Sequence, residues 1–425
     1  MKKYDTYKDS GNQWIGQVPE HWCLYSLKYY LNLQKGRKPE VFVEEGDLPY
    51  VTMDYIRSRE NKTCLYPSSA EGLVPISDDD ILVLWDGANA GEIVKAKKGF
   101  LSSTMAVLDF DKKIGSHQYL FYLLKQMEPI FKTFANGTTI PHFDSSILLD
   151  YKYPLPPLTE QEAIANFLDK KTGEIDQAIA LFEQEKTDLQ AYRKAIISET
   201  VTKGLNPNAK LKDSGIQWIG EIPEGWEIVR LKHLLDGTLT YGANESAESD
   251  NKEWPRYIRI TDIAENGSLK ESTFKSLSPD KAENYLLQKG DVLFARSGAT
   301  VGKTFLFEEN ISACFAGYLI KATPNKTKLN SRFLYFYTIS NAYESWKNSV
   351  YIQSTIQNIG ADKYSQLPVS TPPLSEQQTI VEYLDKKTSD IDAALKLINT
   401  QIADLQAYRT ALISEAVTGK IDVRN

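Results

Sequence analysis

Cysteine and histidine are scarce in this chain, three of the first and four of the second in 425 residues. Cys23, Cys64 and Cys314 are odd in number and far apart, which excludes a disulfide framework and points to a reducing compartment. His21, His117, His142 and His233 show no metal-ligand spacing, and the His21/Cys23 couple becomes Gly225 and Glu227 in the second half of the chain, so no metal site is expected. No stretch approaches the roughly 18 uninterrupted apolar residues of a membrane span, and Met1-Lys-Lys-Tyr-Asp-Thr-Tyr-Lys8 lacks the apolar core of an export signal. An excess of basic charge is missing too: Lys plus Arg is 49 against 56 for Asp plus Glu, a net −7, so nothing global advertises a nucleic-acid partner. These absences together suggest a soluble cytoplasmic protein. The remainder, 42% hydrophobic and 25% charged, is ordinary globular composition, enough for two to four domains at roughly 100–200 residues each.

Catalytic signatures are equally thin. Gly298-Ala-Thr-Val-Gly-Lys-Thr304 approximates a phosphate-binding loop, but three residues separate its glycines where four are needed to wrap phosphates. No Asn-Pro-Pro-Tyr-like amino-methyltransferase tetrad occurs, no glycine-rich cofactor fingerprint follows a strand, and Pro279-Asp280 has no acid-x-Lys nearby to complete a nuclease triad. Acting alone, the chain is poorly equipped as an enzyme.

What the chain does have is a repeat. Asp9-Ser-Gly-Asn-Gln-Trp-Ile-Gly-Gln-Val-Pro-Glu-His-Trp22 is answered by Asp213-Ser-Gly-Ile-Gln-Trp-Ile-Gly-Glu-Ile-Pro-Glu-Gly-Trp226, ten of 14 positions being identical at an offset of 204. Pro156-Pro-Leu-Thr-Glu-Gln through Val201-Thr202 recurs as Pro372-Pro-Leu-Ser-Glu-Gln through Val417-Thr418 at an offset of 216. Two tandem halves follow, the second 216 − 204 = 12 residues longer in its middle. Between these frames the middles diverge. Tyr50–Ile56 faintly echoes Tyr257–Ile263, Asp80–Gly91 echoes Asp291–Gly302, and Gly137–Ile140 parallels Gln353–Ile356. Similar frames around dissimilar centres imply one shared job for the frames and different targets for the centres.

Each frame also reads as helix. Thr159-Glu-Gln-Glu162 and Ser375-Glu-Gln-Gln378 fit capping boxes after a Pro-Pro-Leu that cannot be helix interior. A short helix through Leu168 or Leu384 should lead to Thr172 or Thr388, each placed to cap a longer helix with acids in its first turn. An apolar stripe of coiled-coil spacing follows, Ile175, Ile179, Phe182, Leu189, Tyr192 and Ile196 in one copy, Ile391, Leu395, Ile398, Ile402, Leu405, Tyr408 and Leu412 in the other. With Gly204 and Gly419 near the ends, each long helix is expected to run about 28 residues, or roughly 42 Å. The centres, rich in β-branched and aromatic runs such as Ile81–Trp85 and Val292–Ala295, read as α+β or β-rich. The expected architecture is α+β: residues 1–153 a first domain, 154–204 a first helical region, 205–369 a linker and second domain, 370–425 a second helical region, with the two helices antiparallel under a pseudo-twofold.

Asp-Ser-Gly-x-Gln-Trp-Ile-Gly-x-x-Pro-Glu-x-Trp, the Pro-Pro-Leu-x-Glu-Gln entry and the long helix ending in Ser-Glu-x-Val-Thr resemble, twice over and in the right order, the specificity subunit of type I restriction-modification systems. The resemblance implies two target-recognition domains held apart by two antiparallel helices, each reading one half of a split, asymmetric DNA site, with no catalytic residues in this chain. It implies partners as well: double-stranded DNA, two modification (adenine methyltransferase) subunits and ATP-dependent motor-nuclease restriction subunits, which would bind S-adenosylmethionine, ATP and Mg²⁺. A 42 Å helix corresponds to roughly 12 base pairs at 3.4 Å each, about the spacing at which dimeric readers engage successive half-sites. Residues 24–153 carry 15 basic and 17 acidic side chains and residues 228–370 carry 17 and 15, so this chain alone should bind DNA weakly and with salt sensitivity.

Loop positions that differ between equivalent places are the candidate base readers: Arg57, Arg59, Trp85, Asp86, Asn89, Thr138, Thr139 and His142 in the first domain, and Arg259, Arg296, Thr300, Lys303, Tyr351, Gln353, Ser354 and Gln357 in the second. Arg and Lys address guanine, Asn and Gln adenine, and Thr either a base or a methyl. Trp14, Trp22, Trp218 and Trp226 read as structural anchors of the frames.

Overall fold

The computed structural model describes residues 2–58, 64–135, 141–247, 249–264, 267–352 and 358–424, apart from the side chains of Ala299, Tyr351 and Ile352. It divides into two compact units, residues 1–182 with 400–425, and residues 183–399. Each unit therefore takes most of its chain from one repeat and a helix segment from the other.

In the first unit, Ile81–Leu84 lies inside a four-stranded antiparallel sheet ordered Ile93–Lys95, Ile81–Leu84, Met105–Phe110, Leu31–Lys35. Its four consecutive apolar side chains are explained by burial on both faces. Ile81 and Val83 enter a core with the helix His117–Thr133, while Leu82 and Leu84 enter a second core with Val51, Leu101 and Met105. That second core backs a small sheet in which Tyr50–Val51 runs parallel to Gly99–Leu101.

The second unit repeats the plan: Thr240–Tyr241, Leu319–Ala322, Val292–Ala295 and Thr304–Leu306 form the antiparallel sheet, and Arg256–Ile258 runs parallel to Ala313–Phe315. Val292 and Phe294 again point into one core and Leu293 and Ala295 into another. Both edge strands end at a glycine that nothing else could replace. A Cβ on Gly36 would lie 2.2 Å from the Ser102 carbonyl oxygen, and one on Gly242 would lie 2.3 Å from that of Phe315.

The long helices differ from expectation. Instead of a short helix followed by one of about 28 residues, Leu158–Lys203 is a single helix of 46 residues and Leu374–Val417 one of 44. The Thr172 hydroxyl donates back to the Leu168 carbonyl and Thr388 to that of Asp385, so both threonines sit inside a helix and cap nothing. Thr159 and Ser375 are also already helical. The carbonyls of Pro157 and Pro373 accept the amides of Glu160 and Gln161, and of Glu376 and Gln377. Both helices stop at the expected glycines, Gly204 at φ +73° and Gly419 at φ +70°, where a left-handed residue ends a helix most cheaply.

Within the first unit, Ile164, Leu168 and Ile175 pack against Leu412, Ile413, Ala416 and Val417, with Ile179 and Leu405 at the edge of that core. Within the second, Ile196, Ile197 and Val201 pack against Ile380, Val381 and Leu384. In both units the two helix segments run antiparallel. Ile391, Ile398 and Ile402 are buried, and Phe182, Leu189 and Leu395 are partly so. Tyr192 and Tyr408 depart from the expected stripe, being 52% and 49% exposed: the coiled-coil spacing carries both positions past the seam onto an outer face.

The released side chains of Glu160 and Glu376 join the two frame motifs. Glu160, buried, accepts from the Trp22 indole at 3.0 Å, from the Tyr4 hydroxyl at 2.5 Å and from His21 Nε2 at 2.9 Å. Glu376 accepts from the Trp226 indole at 3.0 Å. Gln161 Oε1 accepts from the Ser116 amide and Gln377 Oε1 from the Asn330 amide, each beside the N-cap of the next helix of its unit. Each tryptophan is roofed by a helix-end glycine of the other repeat: a Cβ on Gly419 would lie 3.1 Å from the Trp22 ring, and one on Gly204 3.1 Å from that of Trp226. Trp14, by contrast, is 61% exposed, and the half-buried Trp218 leaves a buried indole N–H unpaired among the described residues.

Candidate nucleic-acid interface

In the first unit three of the expected residues meet at one rim, where the buried strand Ile81–Leu84 emerges. Trp85 packs edge-on against Phe143 at 5.5 Å, and Asp86 bridges to His142 along the backbone. The Asp86 carboxylate is shared, one oxygen 2.6 Å from His142 Nδ1 and the other 2.8 Å from Lys35 Nζ, and Lys35 also lies 5.5 Å from the Trp85 ring centre. Partial burial pushes the Asp86 pKa upward, but hydrogen bonds from Lys35 and His142 outweigh it and hold the carboxyl below its usual range. Asn89 is exposed on the adjoining turn. Arg57 stands apart, tied to Glu92 at 2.6 Å.

The second unit presents the same rim with other side chains. Arg296 leaves the corresponding buried strand with its guanidinium 4.9 Å over the Tyr241 ring, and Ser297 bridges to Asn358 as Asp86 does to His142. The Arg296 Nε is buried, with no hydrogen-bond partner among the described residues. Arg259 is engaged along one edge: Nε and Nη2 grip Asp262 at 3.0 and 2.7 Å while Nη2 also donates to the Thr273 carbonyl at 2.7 Å. That hydrogen-bonded ion pair raises its pKa further, and Arg259 spends the Nε/Nη2 edge of its guanidinium on bracing a turn.

Thr300 and Lys303 lie elsewhere in this unit, on a cleft of about 840 Å³ that also exposes Lys194, Lys270 and Lys347. Lys347 is paired with Glu344 at 2.7 Å. Gly298–Thr300 is one 3-10 turn leading to the strand Thr304–Leu306, with no helix behind it to receive a phosphate. Arg59, Thr138, Thr139, Gln353, Ser354 and Gln357 lie outside the described residues, as does the Tyr351 side chain. Among the described residues no cluster of His, Cys, Asp and Glu could hold a metal ion, and no helix is long and apolar enough to cross a membrane.

Sequence reading missed Lys35 and Tyr241. The available signal was Gly36 and Gly242, whose offset of 206 aligns the residues before them.

Two copies of one α+β module, with a shared Trp–Glu bond and unlike rims, define a tandem two-module protein. The chain belongs to the type I restriction modification DNA specificity domain family, whose model matches residues 19–189 and again 223–405. Members are the non-catalytic, DNA-specifying components of these systems. The MjaVIII specificity subunit of Methanocaldococcus jannaschii is 29% identical, the match covering 96% of this chain and 95% of that one. The Escherichia coli EcoBI specificity subunit is 22% identical, covering 95% and 87%. The fold is shared with a chain from a structural study of assembly and conformational transition in the type I system, at TM-score 0.72, 18% identity and coverage of 95% and 99%. It is also shared with the HsdS subunit of Thermoanaerobacter tengcongensis, at TM-score 0.51, 20% identity and coverage of 95% and 98%.

Proposed function

We propose that each unit reads one half of a split, asymmetric DNA site, and that the frames and long helices dock two modification subunits and, for cleavage, the restriction subunits. The observation that carries this reading is the pairing of a shared Trp–Glu bond in the frames with unequal rims. Trp22–Glu160 and Trp226–Glu376 repeat the same bond at 3.0 Å, whereas Trp85, Asp86 and His142 become Arg296, Ser297 and Asn358. Frames that stay alike suit two copies of one partner, and rims that differ suit two different base sequences.

In this reading S-adenosylmethionine, ATP and Mg²⁺ belong to the partners, and the complex works in the cytoplasm. Asp86, His142, Trp85, Asn89 and Arg296 are the foremost base-reading candidates at the rims, and Lys303 with Thr300 faces the phosphate backbone from the cleft. The near balance of charge in both units assigns much of the phosphate affinity to the modification subunits. Residues 1–153 are the first recognition domain, 205–369 the linker and second recognition domain, and 154–204 and 370–425 the helical regions.

The test is to express the chain with its cognate modification subunits and map methylated adenines across the host genome. A split motif whose one half changes when residues 24–153 are exchanged for those of a relative is the expected result. An unsplit motif, or one untouched by the exchange, overturns the reading.

A further inference from the structure

The two rims coincide in backbone register. Lys35 faces Ala106 across the first sheet and Tyr241 faces Ile320 across the second, while Val83 faces Ala106 and Phe294 faces Ile320. One residue beyond the next pair in these strands, Leu84 with Met105 and Ala295 with Leu319, stand Trp85 and Arg296. Their amides bond to equivalent carbonyls, Trp85 to Thr104 at 2.8 Å and Arg296 to Tyr318 at 3.0 Å, and their own carbonyls accept from Phe143 and Ile359, both at 2.8 Å. Lys35 and Tyr241 thus occupy one position, and Trp85 and Arg296 another. Each unit fills the pair with one cation and one aromatic ring, but in opposite order.

Deepening the function proposed above and resting on it, we infer that these positions, 35 with 85 and 241 with 296, are the guanine-reading elements of the two recognition domains. The Tyr241 ring holds Arg296 in orientation without consuming its hydrogen-bond donors, whereas Lys35 is held by the Trp85 ring and by one bond to Asp86, with the remaining ammonium donors left for a base. Arginine so held offers a planar fork to guanine O6 and N7, and lysine a single charged donor to the same acceptors. Of the other arginines singled out, Arg57 is bonded to Glu92 and Arg259 to Asp262, and Arg59 lies outside the described residues. Arg296 has no carboxylate partner among the described residues, and its neighbour Tyr318 leaves its ring 69% exposed on the same rim. Exchanging the order of cation and ring moves the reading donor to the other strand of the rim, so one scaffold places its guanine contact differently in each half-site.

The test uses the complete complex with its modification subunits, comparing wild type with Arg296→Ala, Arg296→Gln and Lys35→Ala by genome-wide methylation mapping, with thermal melting and gel filtration to establish that each variant folds and assembles. Arg296→Ala should lose roughly 10- to 100-fold discrimination at one guanine of one half-site, and Arg296→Gln should shift that position toward adenine. Lys35→Ala should relax one guanine in the other half-site only. If the wild type methylates a split motif and the assembled variants keep it unchanged, the inference falls while the recognition role stands. A fall in methylation that is uniform over all sequences, with the salt slope reduced by about one, identifies phosphate contacts and overturns it equally. A wild type without a split motif overturns both readings.

Discussion

Arg193 of the first long helix reaches Asp392 of the second at 3.3 Å through Nε, and the residues 216 positions away from each, Arg409 and Asp176, form the same ion pair at the same distance. Each pair stays inside one unit, so each unit carries its own copy of a crosslink between antiparallel helices. All four side chains are a third to more than half exposed, and water screens such pairs strongly.

Arg193→Ala and Asp392→Ala should each cost less than about 1 kcal/mol, and a double-mutant cycle in urea should give a coupling of about 0.2–1 kcal/mol. A coupling above about 2 kcal/mol would show that the pair is far better shielded than its exposure implies.

The two sockets should respond unequally. Glu160→Ala strands the Trp22 indole and the Tyr4 hydroxyl in the core, at roughly 1–3 kcal/mol for each unpaired donor, whereas Glu376→Ala strands only the Trp226 indole. The first substitution should lower the melting temperature by clearly more than the second. Equal losses would mean that Tyr4 adds nothing.

The Asp86 anchor sets a pH dependence. Its carboxyl is depressed in the folded chain, so the stability it adds is fully present above the unfolded pKa of about 3.9 and is lost as pH falls through the lower folded value. The stability difference between wild type and Asp86→Asn should shrink as pH falls below about 4. A difference that does not shrink below about pH 4 would contradict the arrangement with Lys35 and His142.

Thiol reactivity should separate the cysteines. Burial pushes the Cys314 thiol up to about 12, and its side chain is buried in a small core with Ala243 and Tyr257, whereas Cys23 is exposed. A maleimide near neutral pH should modify Cys23 in the native protein and reach Cys314 only in denaturant. Equal labelling rates would show that the core around Cys314 opens readily.

The repeat, the divergent centres and the ends of both long helices were legible because each leaves a periodic or duplicated trace. The capping reading went astray at Thr159, Thr172 and their counterparts because hydroxyl-then-acid patterns occur inside helices as well as at their starts. Only the fold tells that Pro157 and Pro373 already satisfy the first amides, releasing Glu160 and Glu376 for tertiary work. The anchoring role of Trp22 and Trp226 followed from the repeat, but neither the exposure of Trp14 in the same motif nor the identity of the carboxylates that meet Trp22 and Trp226 did. At the rims, Trp85, Asp86, His142 and Arg296 came from comparing the halves. Lys35 and Tyr241 escaped because unlike residue types hide an equivalence that only strand register reveals.

The roofing of Trp22 by Gly419 and of Trp226 by Gly204 has a consequence for inheritance. A gene shortened to its first repeat would encode a polypeptide with one indole uncovered and one helix end unoccupied, each the complement of the other. Two such molecules could complete one another by trading those ends. Their union would carry the same rim twice, and the asymmetry of the target, rather than the ability to fold, is what the second half of the gene contributes.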